Sequence, residues 1–249
     1  LGTSLVFFAL FFSMLFWAGI PVLFLVVLVS PLLSLVCGFY WFTWALFFLG
    51  FLLVIYYLRP GLVFGIIMIL LNFGVGTVTP LIWNRFHDYQ KLRILTFLDP
   101  GRDPQGAGYQ ILQSKVAIGS GGILGKGFLQ GSQTKLAFLP MQHTDFVFTV
   151  VGEELGLLGA LVILALFIFL IVRGILIAKK ARNTFASFAA IGITTIFAFQ
   201  MLVNIGMVLG IMPVTGLPLP FLSYGGSSML LSWIGVGVLL AIGYKWYEY

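Results

Sequence analysis

"FVFTVVGEELGLLGALVILALFIFLIV", residues 146–172, is the stretch that decides the class of fold. It is one of several apolar runs of about 17–27 residues, the length of a helix that crosses a bilayer. Barrel strands would be ~10 residues with alternating polarity. The whole chain agrees: 61% of its 249 residues are hydrophobic and 8% are charged, with mean hydropathy +1.12. A soluble domain carries about 25% charged residues, so this composition excludes a water-soluble surface. With lipid as solvent, every backbone polar group must be satisfied internally, which leaves helices or closed barrels. The expected fold class is all-α, a polytopic membrane helix bundle.

Seven spans can be read outward from this run: about Leu5 to Ala18, Pro21 to Cys37, Trp41 to Leu58, Leu62 to Trp83, Phe146 to Val172, Phe185 to Met212 and Ser228 to Tyr244. Pro31 predicts a kink in the second. Arg173, Lys179, Lys180 and Arg182 follow the fifth span, Arg59 ends the third and Lys245 follows the seventh. Counted alternately, all six fall on one side, which the positive-inside rule makes cytoplasmic. Cys37, the single cysteine, lies in an apolar run and reads as a small buried hydrophobe. One thiol and two histidines predict neither a disulfide nor a metal site. The net charge of +6 suits anionic lipid or phosphate without choosing between them. The chain opens at Leu1 with no charged leader, so a fragment or processed chain with earlier spans missing is expected.

The remaining polarity is concentrated in the break between the fourth and fifth spans, predicted to lie outside. That break is too long for a mere connector and too apolar for a disordered tail. "YQILQSKVAI" (109–118) predicts a short amphipathic helix, with Tyr109, Leu112 and Val116 on one face and Gln110, Gln113 and Ser114 on the other. "DPGRDPQGAG" (99–108) is turns. "GSGGILGKGFLQG" (119–131) has six glycines in thirteen residues, but Ser120 and Gly127 break the nucleotide P-loop pattern. Irregular backbone near a membrane must be buried in protein or line a wet cavity, so this segment is expected to fold back over the bundle. Arg102, Lys115, Lys126 and Lys135 are interleaved with it. Singly they read as solvated or headgroup-facing charges; together they could hold a pyrophosphate.

Four further features carry two readings each. "PVTGLPLPFLSYGGSS" (213–228) is a tight turn or a cavity rim. Gln200 and Asn204, four apart in the sixth span, make an interhelical hydrogen bond or face a site. Glu153 and Glu154 lie about two turns into the fifth span, where an ionised carboxylate needs water or a partner such as a loop lysine. Asp145, just before the fifth span, is either a carboxylate stabilised by the helix N-terminus or a general base at the water–lipid boundary. No cation adjoins it in sequence.

"LTFLDPGRDPQGAGYQILQSKVAIGSGGILGKGFLQGSQ", "FLPMQHTDFVFTVVGEELG" and "PVTGLPLPFLSYGGSS" together strongly resemble the SEDS family (shape, elongation, division and sporulation). The order of "FLDP", "IGSGG", "GKG" and "HTDF" looks like its RodA-like elongation branch more than its FtsW-like division branch. The resemblance implies a peptidoglycan glycosyltransferase that polymerises lipid II at the outer face of the bacterial cytoplasmic (inner) membrane. It implies a class B penicillin-binding protein, a transpeptidase, as partner, membrane lipids as surroundings and no nucleic acid. It places the essential aspartate on Asp145, as general base. It also allows a divalent cation, Mg or Mn, at the pyrophosphate. The residues and the resemblance together give the expected substrate-binding set: Arg102, Gln113, Ser114, Lys115, Lys126, Lys135, His143, Thr144, Asn204, Ser223, Gly225 and Gly226, with no protein metal ligands. The expected organisation is a single transmembrane domain over 1–249, with 84–146 as its outer catalytic loop. The family has two spans between "LGT" and that loop where four are read here, so 21–58 reads as an inserted helix pair. A lipid II transporter (flippase) or a non-catalytic membrane scaffold for the transpeptidase are the alternatives.

Overall fold

The computed structural model describes residues 2–85, 107–131 and 144–244. All regular elements among them are helices: α1 Gly2–Trp17, α2 Val22–Cys37, α3 Trp41–Leu58, α4 Leu62–Arg85, α5 Ala107–Gly121, α6 Val147–Glu154, α7 Gly156–Lys180, α8 Thr184–Val208 and α9 Gly226–Tyr244. Five are long and apolar enough to cross a membrane: α3, α4 over Leu62–Pro80, α7, α8 and α9. α1 and α2 are apolar but shorter, 16 residues each. At 1.5 Å per residue they reach about 24 Å, short of a ~30 Å hydrocarbon core.

Residues 15–91 form one compact unit. Its core is Val27, Phe51 and Met68, tied by a buried polar network. The Asn72 amide donates to Ser30 Oγ at 2.8 Å and to the Met68 carbonyl at 2.9 Å. Ser34 Oγ donates to the Asn72 carbonyl at 2.9 Å and accepts from Trp44 Nε1 at 3.2 Å. Helices in lipid gain little from the hydrophobic effect, so interhelical hydrogen bonds of this kind set their register. The sequence around 21–58 thus has a structural use: α2 and α3 hold α4. α2 continues through Pro31.

The second unit comprises residues 1–14 and 92–249. Its core is Phe146, Phe148, Phe167, Met207, Val208 and Leu219. α7 and α8 approach closely where Gly174 faces the Thr194 side chain.

Two span boundaries are corrected here. The fifth span does not begin at Phe146. A turn at Leu155, with Gly156 at φ +64°, separates the short α6 from α7. The freed amides are taken up by the glycine-rich segment: Leu157 N donates to the Gly122 carbonyl at 3.0 Å and Leu158 N to Ile123 at 3.1 Å. The sixth span ends at Val208, not Met212, because the chain turns left-handed at Gly210 (φ +70°). The amphipathic helix exists as α5. Ile111, Ser114, Ala117 and Gly121 are buried, whereas Leu112 and Val116 are exposed. Small residues let α5 sit close: a Cβ at Gly121 would collide with the Gly152 carbonyl.

Candidate functional site

Asp145 occupies a turn, 144–146, that enters α6. The helix cap falls on Phe146, without a side-chain cap hydrogen bond. Asp145 is therefore one residue too early to serve as the helix cap. Two groups pin the backbone of this turn. Asn204, on α8, donates from Nδ2 to the Asp145 carbonyl at 3.0 Å and to the Leu217 carbonyl at 2.8 Å. Ser223 Oγ donates to the Thr144 carbonyl at 2.6 Å while accepting from Leu219 N at 2.7 Å. Asn204 and Ser223 are buried at 0% and 2% exposure, so both bonds are shielded from competing water. Phe146, at 1% exposure, anchors the turn in the core.

The carboxylate itself is half-buried. Burial raises its pKa above the ordinary 3.8, and a hydrogen bond from the Thr144 hydroxyl opposes that rise. Among the described residues no cation pairs with it. The connection from α8 to α9 runs alongside: a Cβ at Gly216 (φ +72°) would lie 3.5 Å from Asp145 Oδ2. The same connection passes Lys115 of α5, since a Cβ at Gly210 would meet its Nζ at 2.7 Å. Beyond Gly216 the connection lines a cavity of about 410 Å³ with Leu222, Ser223, Tyr224, Gly225 and Gly226, joined by Val147 and Met229. The stretch thus makes a turn over 220–222 and lines a cavity over 222–226. Gly216 is missing from the sequence-derived set; its one signal is a glycine between two proline-containing pieces of loop.

The other expected residues fall into distinct places. Lys126 pairs with Glu153 at 2.8 Å, and that carboxylate side chain is 1% exposed. Around this pair Lys126 N donates to the Glu153 carbonyl and Gly127 N to that of Glu154, both at 3.0 Å. Leu129 N donates to Glu154 Oε2 at 3.0 Å. The glycine-rich segment is thus clasped to the α6–α7 junction, as the cost of two buried carboxylates demands. Ser114 is fully buried, its hydroxyl donating to the carbonyls of Val208 at 2.7 Å and Ile111 at 2.9 Å. It joins α5 to α8. Gln113 donates to the Tyr109 hydroxyl at 3.3 Å. Arg102, Lys135 and His143 lie outside the described residues.

A family model described as a cell cycle protein, FtsW/RodA/SpoVE, matches residues 42–247. The chain belongs to the FtsW/RodA/SpoVE family. Among relatives, it is 52% identical over 169 residues to the peptidoglycan glycosyltransferase MrdB of Escherichia coli (strain K12), covering 68% of this chain and 46% of that one. It is 45% identical over 184 residues to the probable peptidoglycan glycosyltransferase FtsW of Geobacter metallireducens, covering 74% and 47%. A solved structure of a peptidoglycan synthase complex that coordinates polymerization and crosslinking aligns with TM-score 0.54 and 38% identity, covering 71% and 48%. The chain spans about half the length of these relatives.

Within this FtsW/RodA/SpoVE chain, no group of three or more His, Cys, Asp or Glu side chains forms a cation cage among the described residues. Glu153 and Glu154 are already engaged by Lys126 and Leu129 N. Asp145 is the remaining carboxylate among the described residues.

Proposed function

We propose that this chain forms part of a peptidoglycan glycosyltransferase, with Asp145 as the general base. Asp145 takes the proton from the acceptor 4-hydroxyl of one lipid II molecule as that oxygen attacks C1 of the donor sugar. The C1–O bond to the pyrophosphate breaks, and undecaprenyl pyrophosphate leaves with the electron pair. The observation that carries this reading is a half-buried carboxylate without a cationic partner among the described residues, on a backbone immobilised by Asn204 and Ser223. Raised basicity brings its pKa closer to neutral pH, where proton transfer is more efficient, and such help is worth about 10²–10⁴ in rate.

Tyr224, Gly225 and Gly226 border the space for the substrate, where the glycines let a sugar or phosphate approach the backbone. Lys115, exposed beside Gly210, is assigned to the pyrophosphate, with Arg102, Lys135 and His143 as further contacts. Lys126 is assigned to the clasp, since its charge is spent on Glu153. A magnesium or manganese ion would arrive on the pyrophosphate. The site is proposed to face outward from a bacterial cytoplasmic membrane, a reading that the charge pattern supports: α7 begins at the Asp145 end and carries Arg173, Lys179 and Lys180, with Arg182 just beyond it. A class B penicillin-binding protein is the proposed crosslinking partner.

The test is Asp145→Asn in the full-length parent, purified and supplied with lipid II. Polymer formation should vanish while thermal stability and transpeptidase capture persist. A variant that polymerises normally removes the base. Loss of lipid II flipping without any polymerisation by the parent favours a transporter, and capture alone favours a scaffold.

A further inference from the structure

The other end of α7 carries a second cleft. It has a volume of about 360 Å³ and lies between α7 and α9. One wall is Arg173, Leu176, Ile177 and Lys180, and the other is Leu240, Gly243 and Tyr244. Positions 173, 176, 177 and 180 recur at i, i+3, i+4 and i+7, so one face of α7 turns into the cleft. Gly243 keeps the floor low: a Cβ there would sit 3.4 Å from Ile177 Cδ1.

This cleft combines two chemistries. Its apolar part is leucine and isoleucine, and its polar part is a guanidinium, an ammonium and a phenol. Arg173 has no anionic partner, and no carboxylate lines the cleft, among the described residues. α7 has 25 residues, about 37 Å against a ~30 Å hydrocarbon core, so its last turns reach the headgroup level. Arg173 lies seven residues, about 10 Å, nearer the bilayer centre than Lys180. A guanidinium at that depth requires a counter-anion or water.

We propose that this cleft binds an anionic phospholipid. The phosphodiester lies between Arg173 and Lys180, with the Tyr244 hydroxyl beside it. The upper acyl chain rests on Leu176, Ile177 and Leu240. Basic pockets between membrane helices recognise lipid phosphates in this way, and the planar guanidinium offers two parallel donors to one phosphate. This proposal is independent of the chemistry at Asp145.

The full-length parent in detergent, titrated with phosphatidylglycerol, phosphatidylcholine and inorganic phosphate, tests it by native mass spectrometry. Phosphatidylglycerol should bind at least tenfold tighter than either of the others. Arg173→Gln/Lys180→Gln should reduce it to the phosphatidylcholine level. Lys179→Gln/Arg182→Gln removes the same charge from neighbours that do not line the cleft, and should change binding less than twofold. Leu240→Trp keeps both cations but fills the apolar part, and should weaken binding at least fivefold; it decides the matter should the first pair fail to fold. Equal affinity for the two lipids, equal losses in both double variants, or inorganic phosphate binding as tightly as phosphatidylglycerol would overturn the assignment.

Discussion

Asn204→Leu isolates the pinning of Asp145 from its chemistry. The substitution removes two donors from two carbonyls, those of Asp145 and Leu217. Each unsatisfied buried carbonyl costs about 1–3 kcal/mol. One term offsets this: Asn204 Oδ1 is itself buried without a hydrogen-bond partner, and its removal recovers about 1–3 kcal/mol. The net destabilisation is therefore about 1–3 kcal/mol, well short of unfolding a domain of 5–15 kcal/mol stability. The effect on rate should be larger in proportion. With one of its two tethers gone, the turn can shift, and a displacement of about 1 Å at a reacting group costs about 10²-fold. Lipid II polymerisation by the full-length parent should fall about 10²-fold in kcat, with a melting temperature only modestly lowered. Asn204→Asp should do worse, since its carboxylate would face two carbonyl oxygens. Wild-type turnover in a folded Asn204→Leu protein would refute the reasoning, as would a loss that merely tracks the unfolded fraction.

Breaking the clasp should act on stability first. Lys126→Met leaves the buried Glu153 carboxylate without its ammonium and should cost about 3 kcal/mol, read by thermal denaturation; the exchange Lys126→Glu/Glu153→Lys should recover part of it. The acid limb of the pH–rate profile should lie above pH 3.8, because burial raises Asp145 and only the ionised form is a base. Thr144→Val, lacking the hydroxyl that opposes this rise, should move the limb higher still. The stability effect has the opposite sign. The folded state binds the Asp145 proton more tightly than the unfolded chain, so its contribution is present below pH 3.8 and is lost as pH rises through the folded pKa. Asp145→Asn should flatten that slope in a denaturation series.

The membrane class was legible because apolar run length and charge depletion are properties of composition, and lipid leaves the backbone few choices. Asp145 stood out for a similar reason: a carboxylate at the edge of an apolar run has a high energetic cost. The pairing of Glu153 with a loop lysine followed from the same cost. Periodicity gave α5 with Leu112 and Val116 on one outer, exposed face, but not the packing of Ile111, Ser114 and Ala117 against the protein. It also merged α6 with α7, because the break at Leu155 depends on amides capped by residues more than thirty positions away.

What the sequence determined unaided was a helical chain in lipid, with one polar segment holding its candidate chemistry. Only the tertiary structure decided which of those polar groups are spent. Ser114 and Lys126 are consumed by packing and charge neutralisation, Asn204 and Ser223 by holding a turn, and Gly216 gains its importance solely by passing beside Asp145. These assignments rest on contacts between distant stretches of chain, and the residue types alone carry no record of which donor meets which acceptor.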